Sequence, residues 1–416
     1  MKVWICIAYD PLPGIDHTTR LLRYGTLAEQ LAIQGHSVVM WTSTFDHWRK
    51  TQRFNQDHTV QLNDRLRIKL LHAPSYTRNV SWSRIQHNRA LAKRFLIRAA
   101  EEPRPDIIFA GIPCLELTEA AATYAQFNSV PLNLDVQDIW PEVYLSVLPH
   151  LLRPLGRLIL HREFQRARRI LLVANATTAV SKQYLEWAQR LRITPGKCDR
   201  VFHLGYRMPA SAQLAIARTR SVEFLKKFNL PQDRLKVTFL GQFAASYDID
   251  TIVRAAGILH TSDSNLHFVL AGAGDKFERI GKSARNISSL TLTGWLEHLD
   301  TLTLLQQSQI GLAAYSATAP QSLPYKPFEY MAFGLPIITS LGGELRDIVE
   351  GQGIGRYYKA GDARSLAFEI QQMAAIPQRR LEAGRRAREL YVKLYDTDQI
   401  TRDLIAHLEK IAAVPC

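Results

Sequence analysis

Apolar residues fall into short unbroken runs, separated by longer stretches in which they recur every three or four positions. The first run, VWICIA, is followed by LLRYGTLAEQLAIQG, whose apolar positions have helical spacing, and then by HSVVMWTS. A short apolar run bounded by polar residues marks a buried strand, and the repeating segment marks a helix. Gly35 ends the first helix as a C-terminal cap would. Further strands are predicted at 106–110 (DIIFA), 130–136 (VPLNLDV) and 176–181 (ATTAVS), with helical stretches near 85–102, 115–126 and 155–169. Strands alternating with helices imply a parallel sheet covered on both faces.

The same grammar restarts after position 215, where LKVTFLG, LHFVLAGAG, LTLTGW, IGLAAY and LPIITS are buried-type strands, each followed by a polar, helix-forming segment. Between the two series lies GYRMPASAQLAIART, 205–219, whose glycine, proline and small polar residues mark a domain boundary. From Gln378 the chain reads as two basic helices. The expected fold is therefore α/β, with two Rossmann-like, doubly wound parallel-sheet domains at 1–210 and 211–395, facing each other across a cleft. Residues 396–416 are expected to form a helix that returns to the first domain. Ligands of such sheets bind beyond the carboxyl ends of the strands, so the loops after strands are where chemistry belongs.

Charge divides the chain unevenly. Its 416 residues carry 52 Lys+Arg against 38 Asp+Glu, a formal net charge of +14. Positions 1–210 hold 28 basic and 17 acidic residues, whereas 211–416 hold 24 and 21. An excess concentrated in one half points to an anionic partner for that half, or else to a solvated basic surface. Cys6, Cys114, Cys198 and Cys416 are far apart, which excludes a zinc site by spacing and suggests a reducing compartment. The apolar start before Asp10 is too short for a signal-peptide core, and no apolar run approaches the length of a membrane span. These features predict a cytoplasmic protein.

Several strand-ending loops carry candidate chemistry. The first, AYDPLPGIDHTTR, places Gly14 ahead of a helix whose N-terminal amides could hold a phosphate oxygen. It is not GxGxxG, and the second strand, VVMWTSTFDHW, has no acidic residue at its end beyond the arguable Asp46, which disfavours a nicotinamide dehydrogenase. In the second half, HFVLAGAGDKFERI sets Gly272 and Gly274 directly after a buried strand, where backbone can approach a phosphate. PQSLPYKPFEYMAFGLPIITS then brings Gln321, Lys326 and Glu329 to a helix that Gly334 and Pro336 terminate.

With GHSVVMWTS, RYGTLAEQL, VQDIWPE, FLGQFAASYDIDTIVRAA, LTGW and GGELRDIV, these segments resemble the retaining GT-B glycosyltransferases of glycosyltransferase family 4, especially the bacterial branch that builds O-antigen and capsular polysaccharides. The resemblance implies a nucleotide-sugar site in the C-terminal domain and an acceptor site in the N-terminal domain. By position, Glu329 resembles the second glutamate of the family's E-x7-E motif, which binds the nucleotide ribose; a carboxylate can accept two hydrogen bonds from a vicinal diol. The first glutamate is replaced here by Gln321, keeping hydrogen bonding to the donor sugar but losing a charge. Relatives often place Arg and Lys after the first strand of this domain to hold the diphosphate, whereas this chain has Gly241, Gln242 and Ser246. Lys326, with backbone amides near Gly272 and Gly274, is the candidate replacement, and a cation there would offset charge developing on the leaving diphosphate.

In the N-terminal half, Asp138 of VQDIWPE follows a predicted strand. It serves either as an orienting group or proton acceptor, or as the cap of the next turn. Arg23 matches a basic residue that faces the donor diphosphate in relatives, the alternative being a solvated arginine. Arg20, His47 and Trp48 are assigned to the acceptor side, and His36 to a structural role.

Two basic amphipathic segments, SRIQHNRALAKRFLIRAAEE and LLRPLGRLILHREFQRARRI, suit either an anionic membrane surface or packing on the sheet. No nucleic-acid-binding module is present, and none is expected as a partner. The resemblance thus implies retaining transfer of a sugar from a nucleotide diphosphate sugar, UDP-sugar favoured, to a hydroxyl of a lipid-linked glycan in bacterial surface polysaccharide biosynthesis. Neither cofactor nor metal is expected, and the enzyme would be cytoplasmic or peripheral on the inner face of the cytoplasmic membrane. Two alternatives remain open: a soluble small-molecule acceptor, and a non-catalytic nucleotide-sugar or nucleic-acid binder.

Overall fold

The structure, a computed structural model, describes residues 1–16, 20–146, 148–192, 196–262 and 265–414. The chain divides into two compact units: Met1–His203 joined by Gln399–Cys416, and Leu204–Asp398.

The first unit is built on β1 (Lys2–Cys6), β2 (Ser37–Ser43), a small antiparallel pair β3 (Phe45–Asp46) and β4 (Thr51–Gln52), then β5 (His58–Asn63), β6 (Leu66–Leu71), β7 (Ile107–Ile112), β8 (Leu132–Val136), β9 (Ala176–Ala179) and β10 (Arg200–Val201). Its main sheet has the order β10-β9-β8-β7-β1-β2-β6-β5. Every pairing in it is parallel except β5 with β6. That edge hairpin is absent from the predicted strands. β5 alternates exposed and half-buried residues, so it has no unbroken apolar run, and its signature is the period-two alternation of HTVQLNDRLRIKLL.

Apolar runs become the core as expected. Val3, Ile5, Val38, Met40, Ile107 and Phe109 are fully enclosed, and Leu404, Ile405, Leu408 and Ile411 of the helix Thr397–Ala413 pack into the same cluster. Their spacing puts all four on one face of that helix. On the opposite face of β1 and β2, Trp4 and Trp41 meet edge to face at 5.1 Å, and Trp41 meets Phe95 of the helix Trp82–Ala99 at 5.2 Å. Cys6 and Cys114 are buried free thiols. Cys198 is disulfide-bonded.

The second unit contains β11 (Leu235–Leu240), β12 (Leu266–Ala271), β13 (Leu290–Gly294), β14 (Ile310–Ala313), β15 (Ile337–Thr339) and β16 (Gly355–Tyr357), in the order β13-β12-β11-β14-β15-β16. All are parallel. Counted from β11 this is 3-2-1-4-5-6, the Rossmann order, whose winding reverses between the first and fourth strands. The first sheet reverses likewise between β1 and β7. Both units are thus doubly wound α/β domains, and each offers a crevice at its reversal point.

Candidate functional site

In the second unit the reversal lies between β11 and β14, and Gly241, Gly272, Gly274 and Lys326 meet there. Gly272 has φ +142°, and a Cβ on it would lie 1.7 Å from the Gly241 carbonyl oxygen. A Cβ on Gly274, φ +150°, would lie 2.9 Å from the backbone of Phe243. The loops after β11 and β12 therefore touch backbone to backbone, which only glycine permits. The Gly272 amide donates to the Gly294 carbonyl at 2.8 Å, and the Gly241 amide to that of Ala271 at 2.9 Å. These amides are committed to the fold, and Gly272 serves close packing rather than phosphate binding.

Lys326 lies in the first turn of the helix Tyr325–Ala332. Its stem covers Gly241, where a Cβ would meet Cε at 2.6 Å, and its ammonium donates to the Tyr247 hydroxyl at 2.8 Å while lying 4.5 Å from that ring's centroid. Among the described residues no carboxylate lies within ion-pair distance of it. One turn on, Glu329 is half-buried, and its carboxylate makes neither a hydrogen bond nor an ion pair with any described residue. Tyr330 fixes the helix against the sheet by accepting from the Leu240 amide at 3.0 Å and donating to the Leu312 carbonyl at 3.2 Å. Eight residues before Glu329, the side-chain oxygen of Gln321 is buried without a donor, as is the neighbouring Ser322 hydroxyl. A buried acceptor left unmet costs about 1–3 kcal/mol, so these groups await a partner. Gln242 is exposed.

In the first unit a second set of polar side chains collects on the loops after β1, β2, β6, β7 and β8. Tyr9 donates to Asn88 at 2.8 Å, and Asn88 donates to Glu116 at 3.0 Å. Arg84, near the start of the helix Trp82–Ala99, lies over the rings of Tyr9 and Trp140 at 4.8 and 5.1 Å. His47 meets the Tyr76 hydroxyl through Nδ1 at 2.5 Å, and Trp48 donates to the Tyr9 carbonyl at 2.8 Å. Burial and the nearby Lys50 and Arg84 push His47 down to about 3, so its imidazole is neutral at ordinary pH. Burial raises Asp138 to about 6, opposed by the positive charge of Arg84; its carboxyl has no hydrogen-bond partner among the described residues.

The sequence model of the family described as Glycosyl transferases group 1 matches residues 221–390. This segment is a glycosyl transferases group 1 domain. It holds Gly241, Gly272, Gly274, Gln321, Lys326 and Glu329. The whole chain also superposes on solved structures: a sucrose-phosphate synthase from Thermosynechococcus elongatus (TM-score 0.74, 18% identity, 99% of each chain), HepE from Anabaena in complex with UDP (0.66, 13%, 99% of this chain and 100% of that one) and WaaG, a glycosyltransferase involved in lipopolysaccharide biosynthesis (0.65, 14%, 98% and 99%). At such identities the likeness speaks for the GT-B fold. No curated protein matches the chain in sequence.

Around this glycosyltransferase domain the expected residues separate into three groups. Gly241, Lys326, Gln321 and Glu329 stand on neighbouring loops and a helix of the second unit, and Asp138, His47 and Trp48 gather on the first. Arg23 differs from expectation. It forms a buried two-pronged ion pair with Asp135 (2.8 and 2.9 Å) and donates to the Phe202 and His203 carbonyls at 2.9 and 3.3 Å. Its guanidinium thus clamps β8 to the backbone of 202–203 within the first unit. The Gly14 loop also departs from the expected anion site, because the next helix, Arg23–Ile33, begins nine residues later and its Tyr24 amide already donates to Asp10 at 3.2 Å. Gly14 itself, φ +67°, leaves room for Leu62. Arg20 is exposed. His36 pairs with Glu409 at 3.2 Å, in keeping with a structural role.

The expectations contained neither Tyr247, which seats Lys326, nor the Tyr9, Asn88 and Lys50 contacts around Arg84. Each follows a strand next to a reversal point or lies on an adjoining loop, so strand order, which the sequence does not display, was the missing signal.

Proposed function

We propose that this protein is a retaining glycosyltransferase of family 4 type that moves a sugar from a nucleotide diphosphate sugar, UDP-sugar favoured, to a hydroxyl of a lipid-linked glycan in bacterial surface polysaccharide biosynthesis. One observation carries the donor half of this reading: at the reversal point of a Rossmann sheet, the Glu329 carboxylate and, one helical turn away, the Lys326 ammonium form no ion pair with any described residue. Such an arrangement suits a nucleoside diphosphate, with the carboxylate accepting from the ribose diol and Lys326 meeting the phosphates. Gln321, with a buried oxygen lacking a donor, would accept from a sugar hydroxyl. During transfer Lys326 offsets charge on the departing diphosphate, whose oxygen takes the acceptor proton on the same face, so the protein mainly positions and stabilises. No metal enters the scheme. On the acceptor side, Asp138 orients the attacking hydroxyl.

Structures with UDP and with UDP-glucose bound to Anabaena HepE support the choice of nucleotide, and the lipopolysaccharide role printed for WaaG is compatible with the acceptor class. No described helix is long and apolar enough to cross a membrane. Surface attachment is supported instead by the segment 151–159, where Leu151, Leu158 and Ile159 are 93, 73 and 72% exposed beside Arg157 and Arg162. The donor assignment is tested by hydrolysis of UDP-, GDP- and TDP-sugars. Turnover of a UDP-sugar is expected, and failure to bind or cleave any of them would remove the enzymatic reading.

A further inference from the structure

Arg84 is 8% exposed, yet it has no carboxylate within ion-pair distance among the described residues. Its Nε donates to the Tyr9 hydroxyl at 3.3 Å and its Nη1 to the Asn79 carbonyl at 2.8 Å, while no described residue accepts from Nη2. A second cation approaches the same loop. Lys50, held at φ +57°, donates to the Asn79 side-chain oxygen at 2.6 Å and lies 4.9 Å from the centroid of Tyr76. Among the described residues it too lacks an acidic partner within ion-pair distance.

The neighbouring acids are engaged elsewhere. Asp46 faces Arg53 at 3.3 Å and Arg49 at 3.8 Å, and Glu116 faces Arg166 at 3.7 Å. Asp138, raised to about 6 by burial, is the remaining nearby carboxyl and makes no ion pair with either cation. Two cations on one asparagine without a carboxylate in contact repel each other, and burial strengthens that repulsion relative to water. Partial burial and the closeness of Arg84 lower Lys50, opposed by Asp46. An oxyanion seated between them would remove the repulsion and fill the open guanidinium donors, and Arg is suited to phosphate by its planar fork. Tyr9, Tyr76 and Trp140 lie against the cations, and Trp48, 57% exposed on the neighbouring loop, offers aromatic surface against which the face of a sugar ring can pack.

We infer that Arg84 and Lys50 form a site for a phosphoryl group carried by the sugar acceptor. A doubly charged phosphoryl group matches two cations, and the loops bearing them lie at the carboxyl ends of the first sheet, close to its reversal between β1 and β7. This inference rests on the glycosyltransferase reading and narrows its acceptor to phosphorylated compounds, whether soluble sugar phosphates or lipid-diphosphate glycans.

The test is a titration followed by tryptophan fluorescence, Trp140 being stacked on Arg84. Glucose, glucose 6-phosphate, inorganic pyrophosphate and undecaprenyl diphosphate in detergent micelles serve as probes, with UDP affinity measured in parallel by calorimetry. Saturable binding of at least one phosphorylated probe, about tenfold or more tighter than glucose and weakened at least tenfold in both Arg84→Gln and Lys50→Gln, supports the inference. Tighter binding of the sugar phosphate or of the polyprenyl diphosphate identifies the source. Phosphorylated probes no better than glucose, or phosphate binding unchanged in folded Lys50→Gln, would overturn it. Normal UDP binding alongside such a failure leaves the donor reading standing, whereas loss of UDP binding in the unaltered protein refutes that reading separately.

Discussion

Gly272 and Gly342 show how differently two glycines of one domain are used. At Gly272 an added Cβ would overlap a carbonyl oxygen at 1.7 Å in a conformation that L-residues avoid, whereas at Gly342 nothing lies within 4 Å. Gly272→Ala should therefore lower unfolding stability by at least about 2 kcal/mol. Gly342→Ala should stay within about 0.5 kcal/mol of the unaltered protein. Denaturant melts of the two variants compare them directly, and equal stabilities would contradict the contact between the loops after β11 and β12. Asp138 offers a second residue-level test. Burial lifts its folded pKa to about 6, above the ordinary aspartate range, so between about pH 4 and 6 the folded protein holds more protons than the unfolded chain, and this residue's contribution to stability falls as pH rises. Asp138→Asn should thus gain stability relative to the parent at pH 7 and lose that gain near pH 4. A difference independent of pH would show that burial does not perturb this carboxyl. That Arg23 is buried could not be read from local pattern, because its partner, the fully buried Asp135, lies more than a hundred residues away.

Among the elements, continuous apolar runs such as VWICIA and LPIITS identified the buried strands, because a parallel strand covered on both faces has no polar side. The β5–β6 hairpin escaped since its alternation belongs to a half-exposed edge. The two basic segments, alike as sequences, differ in the fold. In the helix Trp82–Ala99, Leu91 and Phe95 are buried, as is Arg84, while Arg94 and Arg98 bind Asp57 at 2.7 and 3.0 Å. Its apolar side packs inward, so lipid contact through that side is ruled out. The later segment is two helices, Arg153–Ile159 and His161–Val173, and in the first of them only Gly156 is buried. The proposed membrane attachment is therefore assigned to 151–159. Leu155→Gln with Leu158→Gln should reduce co-sedimentation with vesicles containing anionic lipid several-fold and leave the melting temperature unchanged. Equal sedimentation of variant and parent would contradict it.

At the scale of the whole molecule, the two series of alternating strands and helices were legible in the sequence because each is a run of repeated local patterns. The order of strands within each sheet was not, since it is set by long-range pairing, and with it went the reversal points where Lys326 meets Tyr247 and Arg84 meets Tyr9. The uneven charge acquires a location: in the first unit, part of the basic excess is buried around the loops after strands, as Arg84 shows, and part lies on exposed helices. The glycosyl transferases group 1 domain lies in the less charged half, and under the proposed function one ammonium, Lys326, and one carboxylate, Glu329, orient the nucleoside diphosphate there. That claim is tested most directly by calorimetric titration of UDP into the intact protein and into Glu329→Gln. A charged hydrogen bond of about 1.5–3 kcal/mol corresponds to roughly 10- to 150-fold in affinity. The variant is expected to bind UDP at least tenfold more weakly with its melting temperature unchanged, and UDP binding of equal affinity in both proteins would contradict the placement of the nucleotide on Glu329.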